Sequence, residues 1–335
     1  MKILITGITG MVGSHLLDYL IDNTDYEIIG ISRWRSPLYN ISNHIPKINK
    51  GDRIKLEHCD ITDSIGVDNL FSKYKFKFIF HLAAQSYPHV SFTNPLETYQ
   101  TNINGTENIL KASLKYSPEA IIHVCSSSEV FGRVPKEKVP IDEETSFHPA
   151  SPYAISKCGT DLIGRYYAEA YNLNTQITRM FTHTGPRRGD VFMESTFAKQ
   201  IALIENGYQE PIIKVGNLES MRTIADVRDA VKAYWLMVNT SPEPGSYYNI
   251  GGKKSLKVYH ILQDLIALSK CDNIQFTIDK ERLRPIDADL QIPNISKFVK
   301  KTGWEAQIPY ETTLKDLLNY WREKIAKEGN SFLQR

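Results

Sequence analysis

Hydrophobic and polar positions in the first half of the chain follow two alternating patterns. Short runs rich in Ile, Val and Phe are apolar on consecutive positions, as in parallel strands that are covered on both faces. Stretches with helical spacing separate them. This alternation predicts right-handed crossovers and an α/β fold with a doubly wound parallel sheet. The predicted strands are Lys2–Thr6, Glu27–Ser32, Ile54–Asp60, Lys77–Ala83, Ala120–Ser126 and Gln176–Phe181, and the predicted helices are Met11–Asn23, Asp63–Lys73, Pro95–Tyr116 and Tyr153–Tyr171.

The pattern is looser beyond residue 180, where helices mix with short strands. The segments near 184–225 and 255–330 predict a smaller, discontinuous α/β lobe, and about 225–255 is expected to return to the first domain. A length of 335 residues fits two units, since a domain commonly has ~100–200 residues. We therefore expect one domain over 1–180 and a second unit over most of 181–335.

The composition is that of a folded protein and excludes several classes. With 41% hydrophobic and 23% charged residues, the chain is neither disordered nor fibrous. Forty basic residues against 38 acidic ones are too balanced for a protein that binds nucleic acid through bulk charge. The absence of a long apolar run and of a signal peptide predicts a cytoplasmic protein without a membrane partner. Four widely separated cysteines and nine scattered histidines predict reduced thiols and no metal site.

A glycine-rich turn follows the first predicted strand. Residues 7–13 have a G-x-x-G-x-x-G spacing between that strand and a helix. Glycine allows the sharp turn and the close approach of a pyrophosphate, which binds free N–H groups at the helix N-terminus. In this context the turn predicts a Rossmann-type dinucleotide site rather than a tight turn alone. The residues concerned are Gly7, Thr9, Gly10, Met11, Val12 and Gly13.

The end of the second predicted strand favours NADP over NAD. An NAD site has Asp or Glu here for the ribose hydroxyls, but residues 31–36 contain no carboxylate. Arg33, Arg35 and Ser36 instead suit a 2′-phosphate through charge-assisted hydrogen bonds, although a solvated basic loop is the alternative. The ends of the next two predicted strands supply the further cofactor contacts Asp60, Ile61, Leu82, Ala83 and Ala84.

Tyr153 and Lys157 lie four residues apart, on one face of a predicted helix. An ammonium group beside a phenol lowers the phenol pKa and prepares a base for removing a hydroxyl proton during hydride transfer. The pair follows the segment Ser126–Gly132 at the end of a central strand. We therefore interpret it as a catalytic pair that also contacts the cofactor, rather than as part of an exposed helix face.

These segments together resemble the extended short-chain dehydrogenase/reductases, and within that family the GDP-mannose 4,6-dehydratases. The resemblance runs along nearly the whole chain. It implies that the smaller lobe binds a GDP-linked hexose or heptose and that NADP is bound tightly and regenerated in each turnover. Besides the glycine turn, the segments that carry it are Arg33–Ser36, His81–Ser86, Ser127–Gly132, Ser151–Tyr153, Pro186–Gly189 and Arg284–Pro285.

The resemblance implies an oxidation, an elimination and a reduction within one active site. Tyr153 would take the C4 hydroxyl proton while hydride passes to NADP+, and Ser127 would hydrogen-bond the C4 oxygen. Glu129 would remove the C5 proton, so that hydroxyl leaves C6 as water before hydride returns to C6. Ser128 stands where some sugar dehydratases carry an acidic Asp, which leaves Glu129 for both C5 and C6. The alternative for Glu129 is a turn-capping carboxylate.

The resemblance also implies a set of substrate-binding residues. Three arginines would bind the diphosphate, for which a fork of donors is suited. The chain departs from the family at two places. Thr182 replaces a family amide that helps to hold the substrate, which leaves the sugar open between mannose and manno-heptose. Thr223-Ile224 replaces the family's Asp-Trp, so only the arginine, Arg222, is kept there. The implied substrate contacts are Gln85, Ser86, Ser128, Thr182, His183, Arg187, Lys199, Arg222 and Arg284.

Two other functions are considered. One is a GDP-4-keto-6-deoxysugar reductase, a 4-dehydrogenase or an epimerase on the same scaffold, against which Glu129 argues. The other is a catalytically idle sensor of the NADP ratio. Ser127, Tyr153 and Lys157 argue against the sensor, because it needs no base.

A homo-oligomer is expected, a tetramer rather than a dimer. In related dehydratases the loop after the second strand reaches toward a neighbouring cofactor site. Here the stretch 34–50 is long for a connection and carries four apolar side chains that a monomer is expected to expose. They are Trp34, Leu38, Tyr39 and Ile41.

Overall fold

The computed structural model describes residues 1–329 and 331. The strands are β1 Lys2–Thr6, β2 Glu27–Ser32, β3 Ile54–His58, β4 Phe78–His81, β5 Ile121–Cys125, β6 Thr175–Met180, β7 His183–Thr184, β8 Ile212–Val215, β9 Met221–Asp226, β10 Ser246–Ile250, β11 Lys254–Lys257, β12 Gln275–Ile278 and β13 Leu290–Gln291. The helices are α1 Met11–Asn23, α2 Ile45–Lys50, α3 Ser64–Lys73, α4 Pro88–Thr93, α5 Pro95–Tyr99, α6 Gly105–Tyr116, α7 Pro152–Tyr171, α8 Met193–Glu205, α9 Val227–Asn239, α10 Val258–Ala267, α11 Ser296–Thr302 and α12 Tyr310–Glu328. Short 3-10 turns cover Tyr39–His44, Ser128–Phe131, Lys136–Lys138 and Lys280–Arg282.

Seven parallel strands form the main sheet, in the order β10-β6-β5-β4-β1-β2-β3. The order changes direction between β1 and β4, which pair from Ile3 with Phe78 to Thr6 with His81. Ligands of such sheets bind outside the carboxyl ends of the strands at this switch point. The predicted α/β, doubly wound sheet is confirmed.

Both faces of this sheet are covered, which explains the consecutive apolar positions. Ile3 and Ile5 pack with side chains of α1 and α9, whereas Leu4 packs with side chains of α3 and α6 on the other face. All three are fully buried. Removal of apolar surface from water on both faces stabilises the sheet, at roughly 25 cal/mol per Å².

Several predicted elements are shifted or shortened by one or two residues at their ends, such as Ile54–Asp60, which ends at His58, and two elements differ for local reasons. The predicted helix Pro95–Tyr116 is divided by a π-helical turn at Gln100–Asn104. Hydroxyl groups of Thr106 and Thr160 donate to the carbonyl of Asn102 there, at 2.6 and 3.0 Å. The predicted strand Lys77–Ala83 ends at His81.

The smaller sheets lie in the second half of the chain. Strand β9 pairs with β7, β11 and β13, and β8 pairs with β12. Helices α8, α10 and α12 share a separate core around Ile201, Leu262 and Trp321. Strand β10 pairs with β6 at the edge of the main sheet. Helix α9 and Phe298 of α11 pack in the hydrophobic core on one face of that sheet. Between residues 1 and 329, no helix has the length and apolar character needed to span a membrane.

The stretch 34–50 folds onto its own chain. Ile41 is fully buried against α1, so the expectation that a monomer exposes it is wrong. The Asn40 side chain donates to the carbonyl of Thr9 at 2.9 Å, and His44 bonds Asp18 at 2.6 Å. Trp34, by contrast, is 76% exposed.

Candidate active site

A cleft of about 1080 Å³ lies at the carboxyl ends of the central strands and extends to the smaller lobe. Most residues predicted from the sequence line it. Those predicted for the cofactor are Gly7, Thr9, Gly10, Met11, Val12, Gly13, Arg33, Ser36, Asp60, Ile61, Leu82, Ala83, Ala84, Tyr153 and Lys157. Those predicted for catalysis or substrate, beyond that pair, are Ser127, Glu129, Gln85, Ser86, Ser128, Thr182, His183, Arg187, Arg222 and Arg284.

Arg35 and Lys199 do not line the cleft. Arg35 lies on the exposed turn after β2. Lys199 is held beside the cleft by an ion pair with Asp190, at 2.9 Å, which directs its ammonium group to that carboxylate. The cleft therefore brings together all the predicted residues except these two.

The glycine turn needs glycine at two positions. Gly7 has a φ of +69°, and a side chain there would meet the backbone of Ala83 at 2.9 Å. A side chain at Gly13 would collide with the carbonyl of Gly7. No side chain caps the start of α1 at Gly10. The first N–H groups of α1 are therefore available to an anionic group in the cleft.

The end of β2 offers donors for a nucleotide. The Ser32 hydroxyl is enclosed and has no hydrogen-bond partner in the described part of the chain, and Ser32 lines the cleft. Arg33 is exposed beside it, and its guanidinium forms no ion pair with any described residue. An orphaned hydroxyl and an unpaired cation at this edge fit the ribose and phosphate of a bound dinucleotide.

The loop after β4 is held by buried polar side chains. The Thr6 hydroxyl accepts from the N–H groups of Leu82 and Ala83, each at 2.9 Å, so its own hydrogen is donated to Nδ1 of His81, 3.0 Å away. Nε2 of His81 then donates to Thr106. Burial, followed by the charge of Lys157, lowers the pKa of His81 to about 3 and keeps the ring neutral. These bonds replace the ladder of β4 and end the strand at His81.

Tyr153 is placed by the start of α7. The Ser151 hydroxyl accepts from the N–H of Ala154 at 3.0 Å, and Pro152 occupies the first turn, so the helix begins at a defined residue. Burial raises the pKa of Tyr153 above its usual value, and the nearby Ser127 hydroxyl lowers it in part. Lys157 donates to the carbonyl of Cys125 at 2.7 Å. In the structure, burial outweighs the expected lowering of the phenol pKa by lysine.

Glu129 lies on a short turn that another residue caps. The Ser127 hydroxyl accepts from the N–H of Glu129 at 3.2 Å, which leaves the Glu129 carboxylate free of the capping role. The turn ends at Gly132, where a side chain would collide with the carbonyl of His148. The Glu129 carboxylate lines the cleft and lies 3.7 Å from the guanidinium of Arg284.

Two of the three predicted diphosphate ligands share one carboxylate. Arg222 and Arg284 lie 3.3 and 3.5 Å from Asp287. Burial raises the pKa of Asp287, but the charges of Arg222 and Arg284 outweigh it and hold the pKa below its usual value. The third, Arg187, has a φ of 69° and pairs with Asp18 at 2.7 Å. Its guanidinium is therefore committed to α1.

Sequence reasoning missed several residues that line the cleft, among them Ser32, Arg188, Glu194 and Asp287. Arg188 lines it, and its guanidinium lies 3.6 Å from the ring centre of Phe192. Its position within Pro186–Gly189 was the available signal. Glu194 and Asp287 also line the cleft, and no motif marks either of them in the sequence. Residues 1–329 show no cluster of three or more His, Cys, Asp or Glu that could hold a metal ion.

Comparison with known proteins places the chain in a family. The family model described as GDP-mannose 4,6 dehydratase matches residues 4–317. The chain belongs to the GDP-mannose 4,6-dehydratase family. This confirms the resemblance drawn from the sequence motifs.

Named relatives of the family cover nearly the whole chain. GDP-mannose 4,6 dehydratase 1 of Arabidopsis thaliana is 32% identical over 344 residues, covering 97% of this chain and 92% of that protein. GDP-mannose 4,6 dehydratase of Drosophila melanogaster is 31% identical over 338 residues, covering 94% and 84%. GDP-6-deoxy-D-mannose reductase of Pseudomonas aeruginosa is 26% identical over 328 residues, covering 98% and 99%.

Solved structures share the fold. UDP-glucose 4-epimerase of Thermotoga maritima, with UDP-glucose, has a TM-score of 0.84 and 27% identity, covering 97% of this chain and 100% of that one. RMD of Pseudomonas aeruginosa, complexed with NADPH, has a TM-score of 0.81 and 24% identity, covering 96% and 99%.

Proposed function

We propose that this protein is an NADP-dependent GDP-sugar 4,6-dehydratase that converts GDP-mannose or a GDP-manno-heptose into its 4-keto-6-deoxy form. The observation that carries the proposal is the placement of Glu129 in one cleft with Ser127, Tyr153 and Lys157. A hydride-transfer site alone needs only the latter three. The Glu129 carboxylate, which its own turn does not use and which faces Arg284 at 3.7 Å, adds the base that an elimination requires.

The residues present fit a nicotinamide dinucleotide. The uncapped start of α1 suits its pyrophosphate, and the enclosed hydroxyl of Ser32 suits its adenosine ribose. Arg33 supports NADP over NAD, because its unpaired guanidinium suits a 2′-phosphate. When bound, this cofactor would supply the redox chemistry: its oxidised form would accept hydride from C4, and the reduced form would return it to C6. Solved structures of the same fold contain NADPH in one case and NAD in another.

The chain's own residues then handle the protons. Tyr153 takes the proton of the C4 hydroxyl, and Ser127, which lines the same cleft, orients the C4 oxygen. Lys157 lies one helical turn further along α7 and supplies positive charge beside the phenolate. The C4 ketone acidifies the C5 hydrogen, which Glu129 removes. Glu129 then returns that proton to the hydroxyl that leaves C6, so that water departs.

The remaining assignments follow the two parts of the fold. We propose that 1–180 with about 225–255 binds the dinucleotide and that most of 181–335 binds the nucleotide-sugar. Arg222 and Arg284 suit the diphosphate, because both guanidinium groups line the cleft and share Asp287. We also propose that the protein works in the cytoplasm.

We propose a homo-oligomer as the working form, with a tetramer preferred. Besides Trp34 on the loop after β2, one face of α7 leaves large apolar side chains in water, which favours burial against a second copy. They are Ile155, Leu162 and Tyr166.

A reductase of the same scaffold is the second candidate. The 26% identity to GDP-6-deoxy-D-mannose reductase, over 98% of this chain, favours it. A reductase consumes one NADPH for each product molecule. A dehydratase removes water from GDP-mannose and consumes no NADPH overall. Mass spectrometry of the product, with and without NADPH, separates the two.

The decisive experiment compares two substitutions. Glu129→Gln keeps the shape of the side chain but removes the base, so dehydration should fall by ~10²–10⁴-fold while C4 oxidation still produces enzyme-bound NADPH absorbance. Tyr153→Phe should abolish both signals. Glu137→Gln, on an exposed turn outside the cleft, is the matched control and should retain wild-type turnover. Wild-type dehydration by Glu129→Gln would reject the elimination role.

A further inference from the structure

Glu194 is a buried carboxylate without a partner. It lies in the first turn of α8, is 2% exposed and lines the cleft. Its carboxylate makes no hydrogen bond or ion pair with any residue among 1–329 and 331. Its oxygens are also not among the fully enclosed polar atoms that lack a partner, so their remaining exposed surface opens into the cleft.

Such a carboxylate is costly unless a donor meets it. Removing an ionised group from water without compensation costs several kcal/mol, which proteins normally offset with hydrogen bonds or an opposite charge. The N-terminus of α8 offsets part of this cost, since a helix start favours a negative charge by up to ~2 kcal/mol, and the nearby charge of Arg188 offsets a further part. Neither gives the Glu194 oxygens a hydrogen bond, so these oxygens can accept from a donor in the cleft.

Glu194 shares the lining of the cleft with Arg188 and with the catalytic Tyr153. Burial lowers the pKa of Arg188, and the charges of Glu194 and Tyr153 are near enough to raise it in part. The arginines suited to the diphosphate pair with Asp287 and not with Glu194. Glu194 is therefore not part of the ion-pair cluster that suits the diphosphate.

We propose that Glu194 accepts hydrogen bonds from the C2 or C3 hydroxyl of the sugar and so determines which sugar is bound. This inference rests on the proposed function. In that reaction the C1 oxygen carries the diphosphate, Tyr153 takes the C4 hydroxyl proton, and the C6 hydroxyl leaves. The hydroxyls at C2 and C3 are unchanged by the reaction and can therefore be bound throughout it. A carboxylate can accept hydrogen bonds from two adjacent hydroxyls at once.

The test compares the affinity for GDP-mannose with that for GDP, by calorimetry on NADP-bound enzyme that carries Tyr153→Phe and therefore does not turn the sugar over, with and without Glu194→Gln. Glu194→Gln should weaken GDP-mannose binding about 10–100-fold, the range for a hydrogen bond to a charged group, and leave GDP binding unchanged. With Tyr153 intact, the KM for GDP-mannose should rise with little change in kcat. Equal loss of GDP and GDP-mannose affinity would place Glu194 at the nucleotide and overturn the proposal.

Glu194→Asp separates a ligand contact from a structural role. Aspartate keeps the charge at the start of α8 but withdraws it by one methylene, so a structural role predicts wild-type stability and wild-type KM. The proposal predicts a raised KM at unchanged melting temperature. A wild-type KM in both variants would refute it.

Analogues of GDP-mannose that lack the C2 or the C3 hydroxyl complete the test. Wild-type enzyme should lose affinity about 10–100-fold for at least one of them, and Glu194→Gln should lose much less for the same analogue. Equal affinity of the wild type for all three sugars would contradict the proposal. Whether wild-type enzyme dehydrates GDP-mannose is scored separately and tests only the proposed function. Glu143→Gln, another buried glutamate but outside the cleft, is the matched control and should keep the wild-type KM.

Discussion

Asp161→Asn is expected to destabilise the protein strongly, because it leaves Arg179 buried without a charged partner. Nε and Nη2 of Arg179 donate to Asp161 at 2.8 and 3.0 Å, and Nη1 donates to the carbonyl of Glu143 at 2.7 Å. The two side chains are 1% and 0% exposed. The guanidinium also lies over the rings of Tyr247 and Phe147, at 4.5 and 4.7 Å.

The magnitude follows from burial and from chain length. Removing one partner of a buried ion pair costs about 3–5 kcal/mol. Unfolding entropy of about 2.1 cal/mol/K per residue gives about 0.7 kcal/mol/K for 335 residues, so the melting temperature should fall by about 4–7 °C. Asparagine still accepts one hydrogen bond, which favours the lower part of this range.

Thermal and urea unfolding of purified protein measure the change. Asp68→Asn is the control, since Asp68 pairs with Lys115 at 2.9 Å on the surface, and such a pair should leave the melting temperature unaltered. Replacing both buried partners with apolar residues, Asp161→Leu with Arg179→Met, should recover part of the loss. A melting temperature of Asp161→Asn within about 1 °C of the wild type would refute the reasoning.

Three further outcomes are expected. Arg33→Ala should weaken NADP(H) binding by about tenfold and NAD(H) binding by less than about twofold, because only NADP carries the 2′-phosphate; fluorescence titration measures both, and equal losses would argue against the assignment. Burial first lowers the pKa of His81 and of His123 to about 3, so below the unfolded pKa of about 6.5 the unfolded chain binds protons that the folded one does not. Unfolding free energy should therefore fall as pH drops from about 6.5, by up to about 1.4 kcal/mol per unit and histidine, and a melting temperature that stays flat from pH 7 to 5.5 would contradict this. Leu162→Asp on the exposed face of α7 should reduce the molar mass measured by light scattering, and an unchanged oligomer would exclude that face.

The main sheet could be predicted because its signal is local. A parallel strand with both faces covered is apolar at successive positions, so β1 and β2 appear in the sequence with their observed ends. The end of β4 could not be predicted in this way. The end of β4 depends on Thr6, which is distant in the sequence. The Thr6 hydroxyl accepts hydrogen bonds from the N–H groups of Leu82 and Ala83.

The arginine pair after β7 shows the same limit within the cleft. The sequence marks Arg187 and Arg188 equally, and the resemblance led us to expect Arg187 at the diphosphate. The two arginines differ in backbone conformation. Arg187 has a positive φ, and its side chain pairs with Asp18 on α1. Arg188 instead stacks on Phe192 with its Nε enclosed and without a hydrogen-bond partner among the described residues. The side chains of these two adjacent arginines thus contact different parts of the molecule, α1 for Arg187 and Phe192 for Arg188.

What separates an elimination from a simple hydride transfer on this scaffold is the environment of one carboxylate. Tyr153 and Lys157 follow from their spacing on a helix and suit either chemistry. Glu129 is useful as a base only if its carboxylate is not needed by its own turn. This condition is met because the Ser127 hydroxyl accepts a hydrogen bond from the Glu129 N–H and so caps the turn. Arg284 is the charged group that the Glu129 carboxylate faces, and it also reaches Asp287. A diphosphate that drew Arg284 away would leave Glu129 unpaired beside the sugar, so substrate binding itself would free the base.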